Sequence, residues 1–231
     1  EPGTLLASWF GGAFEGKPDV SIFTARKEGA APWGEPVMVV PSKGVPTWNP
    51  VLHRVGATGE VLLFYKVGHK PYSWSGFVKR SSDGGRTWGG AEALPRGVVG
   101  PAKNKAIELR DGTILAPTSE EKGQRGKNWD SWVESSRDGG RTWERHGPVE
   151  LDGRIIQPSL FVAKDGTVRM LIRSRSRYMA VARGDASGTR WGPARLTGVP
   201  CPNTGLDAVK LRDGRLLLVY NHSFKSGTAG R

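Results

Sequence analysis

Apolar residues occur along this chain in short runs. VLLFYKV (Val61–Val67), VRMLI (Val168–Ile172) and LLLVY (Leu216–Tyr220) each follow a glycine turn and give way to polar residues. No stretch sustains an apolar face at helical spacing, so the runs predict strands. One period can be read in full. NPVLHRV predicts a strand, GATGE a turn, VLLFYKV a strand, GHKPYS a loop, WSGFVKR a strand, SSDGGRTW a turn and AEALP a short last strand. Four strands joined by hairpin turns make one propeller blade. Prolines lie mostly between the runs, as strands require.

The period repeats. Tryptophans with similar short tails stand at Trp33, Trp88, Trp143 and Trp191, spaced 55, 55 and 48 apart. Glycine turns before an apolar run stand at Gly3, Gly59, Gly112, Gly166 and Gly214, spaced 56, 53, 54 and 48 apart. Two independent markers with one period near fifty point to propeller blades. The expected fold is therefore all-β. Four nearly complete four-stranded antiparallel blades run from about Gly3 to Leu196, with part of a fifth after them, in one partial propeller domain over 1–231.

The phrase SSDGGRTW (Ser81–Trp88) returns as SSRDGGRTW (Ser135–Trp143). Its glycines permit backbone angles that a side chain forbids. Its aspartates, Asp83 and Asp138, can accept hydrogen bonds from amides of their own turns. Trp88 and Trp143 are expected to bury themselves against their own blades and anchor the corner. A calcium loop would need more carboxylates than these turns hold.

Composition narrows the chemistry. The 231 residues carry 34 Lys+Arg against 22 Asp+Glu, a formal net charge of +12. Such a field attracts anions: nucleic acid, an anionic membrane or an acidic sugar. The cations are scattered and no nucleic-acid module is visible. One cysteine, Cys201, excludes an intrachain disulfide and a cysteine metal site. No run is long enough to span a bilayer as a helix, and no signal peptide is visible. The chain starts at Glu1 within an apparent strand, so both ends are expected to be cut.

In a propeller, the loops that enter first strands and leave second strands share the face opposite the repeated turns. Ligands collect there. The entering loops contribute Trp48, Asn49, Lys103, Asn104, Lys105, Arg154, Gln157, Ser159, Asn203, Thr204 and Asp207. The leaving loops contribute Glu15, Asp19, Tyr65, Lys66, His69, Glu120, Glu121, Arg173, Arg175, Tyr220, His222 and Arg231. The set is polar, with both signs of charge and several aromatics. It suits a polar ligand that carries an anionic group.

The pattern Ser-x-Asp-x-Gly-x-Thr-Trp, complete at Ser81–Trp88 and Ser136–Trp143, resembles the Asp-box, or BNR repeat, of the sialidase superfamily. Degraded copies stand at TARKEGAAPW (Thr24–Trp33) and ARGDASGTRW (Ala182–Trp191). Longer phrases resemble bacterial sialidase-like proteins over essentially the whole chain: WFGG with EGKPDV, WNPVL, LLFYKVG, GPAKNK and DAVKLRDGRLLLVYNH. The resemblance implies six blades in the intact protein, an exo-acting glycoside hydrolase, and a terminal acidic sugar as substrate. It implies no cofactor, a secreted or periplasmic location, and a monomer that binds no nucleic acid and inserts into no membrane. It also assigns roles. Arg175 fits the second arginine of a carboxylate-binding triad, with Arg173 where an asparagine is usual, and Arg231 fits the third. Asp19 and Glu15 are the candidates for the acid/base. Gln157 stands where the family has the glutamate that activates a tyrosine nucleophile. The first arginine is expected before residue 1, and the tyrosine beyond Arg231.

An amide cannot take a proton as a carboxylate can. Either another base such as Glu120 substitutes for Gln157, or the mechanism differs. Two alternatives to the hydrolase follow. One is a carbohydrate-binding propeller without hydrolysis. The other is a lyase on uronate-containing polysaccharide, with Lys66, Lys103 or Lys105 at the carboxylate and His69, Tyr65 or Tyr220 moving the proton.

Overall fold

The computed structural model describes residues 3–122, 128–152 and 154–225. Among them the only helical element is a single 3-10 turn at Pro71–Ser73. The chain divides into two compact units, Glu1–Gly100 and Pro101–Arg231.

The first unit holds two antiparallel sheets. Strands β1 (Thr4–Gly11), β2 (Ser21–Glu28) and β3 (Val37–Val40) form a three-stranded meander. Strands β4 (Thr47–Arg54), β5 (Val61–Val67), β6 (Ser75–Ser81) and β7 (Glu92–Ala93) form a four-stranded one. These are the four strands read from one sequence period, in order. β5 is buried on both faces until its last residue, which is why it reads as a continuous apolar run and not as an alternation.

The second unit repeats the plan. β8 (Ile107–Glu108), β9 (Ile114–Lys122), β10 (Asn128–Ser136) and β11 (Glu144–Val149) make one blade. β12 (Ile155–Val162), β13 (Val168–Ser174), β14 (Tyr178–Arg183) and β15 (Arg195–Pro200) make the next. β16 (Asp207–Lys210) and β17 (Leu216–Val219) begin another. The core of this unit lies between blades: Leu115 and Val133 pack with Ile155, Leu160, Met170 and Ile172.

The repeated turns are structural. The Ser81 hydroxyl donates to Asp83 at 2.7 Å, and the Asp83 carboxylate accepts from the Arg86 and Thr87 amides at 3.0 and 2.9 Å. Ser136, Asp138, Arg141 and Thr142 repeat these bonds at 2.8, 2.9 and 2.9 Å. In the degraded copy at Ala182–Trp191, Asp185 still accepts from the Thr189 amide at 3.1 Å. The bonds hold the Asp83 and Asp138 carboxyls far below the ordinary range. At Asp83 the Thr87 hydroxyl is the largest cause. At Asp138 burial pushes upward most, but Thr142 and Ser136 together outweigh it.

The tryptophans depart from expectation. Trp88 and Trp143 are half-buried, not buried. Trp88 packs against a cluster that joins Ile22, Val39 and Val40 of the preceding sheet to Leu63 and Tyr65 of its own. It is a wedge between blades, and an indole at the rim of such a seam keeps one edge in water. The turn glycines make the same seam. A Cβ on Gly85 would meet Leu6 at 2.6 Å, and one on Gly188 would meet Leu115 at 2.4 Å, each leucine belonging to the preceding blade.

Candidate functional site

Two first strands carry the same backbone device. The ladder of β4 with β5 skips between Trp48 and Val51, and that of β12 with β13 skips between Ile156 and Ser159. Inside the bulges, Asn49 and Gln157 take positive φ of 39° and 55°, each just before a proline. Positive φ in a side-chain-bearing residue is uncommon and worth an explanation. Both residues belong to the set read from the sequence. The partner opposite the residue before each bulge is Lys66 in the first unit and Arg173 in the second.

In the first unit the device is closed. Lys66 is fully buried, and its ammonium donates to the Asn49 carbonyl at 3.2 Å. Trp48 is buried, its indole N–H donating to the Gly68 carbonyl at 2.7 Å and its ring tilted against Trp74. A Cβ on Gly16 would touch the Trp48 ring at 3.0 Å, so glycine there lets the loop close over the indole. Asp19 is exposed and accepts from the Ala13 amide at 2.7 Å, which ties its own loop together. Glu15 and His69 are exposed. Tyr65 is a core residue stacked on Phe77, and burial pushes its hydroxyl up to about 12. Its hydroxyl therefore keeps its proton near neutral pH.

In the second unit the device is open and polar. Arg173 donates to the Gln157 side-chain oxygen at 3.0 Å and to the Asn203 side chain at 3.0 Å. Asn104, which is buried, donates to the carbonyls of Gln157 and Pro158 at 2.9 and 3.0 Å, so it fastens the bulge. Lys103 donates to Asn104 at 2.9 Å, and Gly205 leaves room for its stem, since a Cβ there would meet it at 2.8 Å. Lys105 pairs with Asp207 at 2.8 Å, and the Ser159 hydroxyl donates to the other Asp207 oxygen at 2.7 Å. Burial holds Lys103 below the usual lysine range, with Arg173 and Lys105 pressing the same way and Asp207 opposing. At Asp207 burial pushes upward, but Lys105 and Ser159 outweigh it and the carboxyl stays low.

Trp129 completes the cluster. The Arg175 guanidinium lies over its ring at 3.6 Å and that of Arg173 at 5.4 Å. Stacking holds a guanidinium in one plane. Glu121 sits directly across the ladder from Trp129. Burial raises its carboxyl above the usual range, against the opposing pull of Arg173 and Arg175. Glu120, the substitute base expected from the sequence, points elsewhere: it pairs with Arg145 and Lys122, each at 2.8 Å. Burial pushes Glu120 upward, yet those two cations hold it low.

Arg173, Arg175, Gln157, Lys103, Asn104, Lys105 and Asp207 thus come together in one unit. Trp48, Asn49 and Lys66 come together in the other. Tyr220, half-buried against the cluster of Met179, Cys201 and Leu206, shares a hydrogen bond of 2.7 Å with the exposed His222. Arg231 lies outside the described residues. Trp129 carried no assignment in the sequence, because nothing in NWDSW separates a stacking platform from a core tryptophan; only its place one residue into a strand next to the arginine-rich RSRSR segment marks it. Among the described residues no group of acids, histidines or cysteines could hold a metal ion, and no helix is long and apolar enough to cross a membrane.

The family profile of the BNR repeat-like domain matches residues 3–228. No curated protein matches by sequence. Among solved structures, a protein of unknown function from Dyadobacter fermentans is 19% identical, with a TM-score of 0.79 over 94% of this chain and 71% of that one. A Hadza microbial sialidase is 18% identical, with a TM-score of 0.79 over 96% of this chain and 52% of that one. The NanB sialidase from Streptococcus pneumoniae is 12% identical, with a TM-score of 0.79 over 97% and 55%. The chain therefore spans about half the length of those two sialidases. At such identities the likeness establishes the fold, a β-propeller of antiparallel blades.

Proposed function

The chain belongs to the family of BNR repeat-like domains, and from that premise we propose that it is an exo-acting glycoside hydrolase of sialidase type, acting on a terminal acidic sugar. The observation that carries this reading is the cationic cluster of the second unit. Arg173 is held edge-on by Gln157 and Asn203, Arg175 is stacked on Trp129, and Lys103 is half-buried beside them. Two guanidinium forks can grip a carboxylate with paired, charge-assisted bonds. The sialidases that share the fold support an acidic sugar as the ligand.

Turnover of a fluorogenic sialoside by the intact protein tests hydrolysis. Calorimetry with the free acid and with its methyl ester tests the anion site. Hydrolysis together with preference for the acid is the expected result; equal affinity for acid and ester would remove the carboxylate clamp. A second reading, binding without hydrolysis, is favoured by one observation. The Gln157 amide oxygen accepts from Arg173 and so acts as a brace where the family has a carboxylate. Tight binding of the acid with no turnover would select it.

A further inference from the structure

Glu121 faces the arginine cluster from β9, and among the described residues Trp129, Arg173 and Arg175 act on its carboxyl. Side chains alternate along a strand, so Ser119 and Glu121 share a face of β9 and Glu120 takes the other. The Ser119 hydroxyl accepts from the Gln157 amide at 3.1 Å. Glu121 therefore points to the side where Gln157, Arg173 and Arg175 gather. Trp129 lies across the ladder from Glu121 on that same face, and it carries both arginines over its ring. Glu120 and Lys122 bond to each other on the opposite face, with Arg145. β10 and β12 present Trp129 and Gln157 toward Glu121, neither of which is charged. The cations acting on Glu121 are Arg173 and Arg175.

We propose that Glu121 is a specificity-determining residue which shares Arg173 and Arg175 with the incoming ligand anion, so that an acidic sugar enters this site together with a proton. The proposal rests on the reading of the second unit as an acidic-sugar site. The physics is that of two carboxylates at one cationic locus. Both cannot remain ionised at close range without cost, and one of them takes up a proton. Burial already disfavours the Glu121 charge, so Glu121 is the partner that yields. An ester or a neutral sugar brings no second charge and should draw no proton.

Calorimetry of N-acetylneuraminic acid with the intact protein, in two buffers of different ionisation heat, reads the proton directly. Between the Glu121 midpoints of the free and the liganded protein, binding should take up a fraction of a proton per ligand, about half for a shift of one pKa unit. Glu121→Gln should take up none and should bind about tenfold more tightly near neutral pH, the worth of one pKa unit. Binding by the native protein without proton uptake would overturn the proposal and leave the acidic-sugar reading intact. A sugar-free measurement decides the case where no sugar binds. The carbon resonance of the Glu121 carboxyl, assigned by its loss in Glu121→Gln, should titrate at higher pH in Arg175→Gln than in the native chain. A midpoint that does not move overturns the proposal whether or not sugar binds. A moved midpoint with no sugar binding counts against the acidic-sugar reading and leaves the shared-arginine coupling standing.

Discussion

The bulges at Asn49 and Gln157 share a register, a positive φ and a following proline, yet they do opposite things. In the first unit the cation at the paired position is lysine, and it is drawn wholly inside onto a backbone carbonyl. In the second it is arginine, half-buried and bonded by two side-chain oxygens in one plane. A lysine bonds as a point charge at the end of a flexible stem, so it can be swallowed by the fold. A guanidinium presents a fork that side chains can aim. The repeat supplies the backbone; which cation it carries decides whether the side chain is drawn into the core or held among polar partners.

The comparison breaks most sharply at Lys66. Lys66→Ala removes a fully buried stem and leaves a void, and it should cost about 2–4 kcal/mol, as large-to-small core changes do. Lys66→Met keeps most of the stem and should cost less. Urea denaturation of the intact chain measures both. If Lys66→Ala left stability untouched but abolished ligand binding, the first bulge would be a site after all.

The converse change is Arg173→Lys, which gives the second bulge the cation of the first. A lysine lacks the planar fork with which Arg173 bonds Gln157 and Asn203. Binding of an acidic monosaccharide should weaken by about 1.5–3 kcal/mol, the usual worth of hydrogen bonds to charged groups. The melting temperature should barely move, because Arg173 is only half-buried and lysine keeps the charge. Calorimetry beside a thermal melt separates the two effects. A collapse in stability with affinity retained would make Arg173 a brace like Lys66.

Outside both bulges, the seam between blades offers a control. Gly188 has a φ of +68°, and a Cβ there would approach Leu115 at 2.4 Å. Gly188→Ala should cost about 1–2 kcal/mol through strain and displaced packing, with no change in ligand preference. A change in preference would show that the repeated turns reach the site.

The blades were legible because they repeat. The Asp83 and Asp138 turns, the strand order of one period and the partial last blade follow from a spacing near fifty, and each unit's sheets reproduce them. The basic cluster was legible as a set, since Arg173 at the end of a second strand, Arg175 just after it, and Lys103 and Lys105 before a first strand are sent by the topology to one face. Burial was not legible. Lys66 and Lys103 look alike in sequence, and only the packing around Asn49 and Gly205 separates a swallowed lysine from one beside a polar cluster. The same holds for Glu120 and Glu121, adjacent letters on opposite faces of β9. Trp88 was expected inside its own blade, because the sequence repeats within blades and is silent about the seam between them.

The smallest effect concerns acid. The carboxyls of Asp83 and Asp138 are held below their ordinary value of 3.8 by bonds within their turns. A group whose folded value is depressed stabilises the fold above its unfolded value and loses that contribution as pH falls toward the folded one. Both turns should therefore weaken as pH drops below about 4, the unfolded carboxylate value. Asp138→Asn keeps some acceptor capacity but removes the titration, so its melting temperature should depend less on pH between 5 and 2 than that of the native chain. The Glu121 carboxyl, raised by burial, has the opposite sign: its charge costs stability as pH rises, so Glu121→Gln should steepen the acid loss slightly where Asp138→Asn flattens it. Thermal melts of the two variants across that range distinguish a turn that needs its charge from a site that tolerates one. Parallel curves for both would mean that the two carboxyls do not differ in kind.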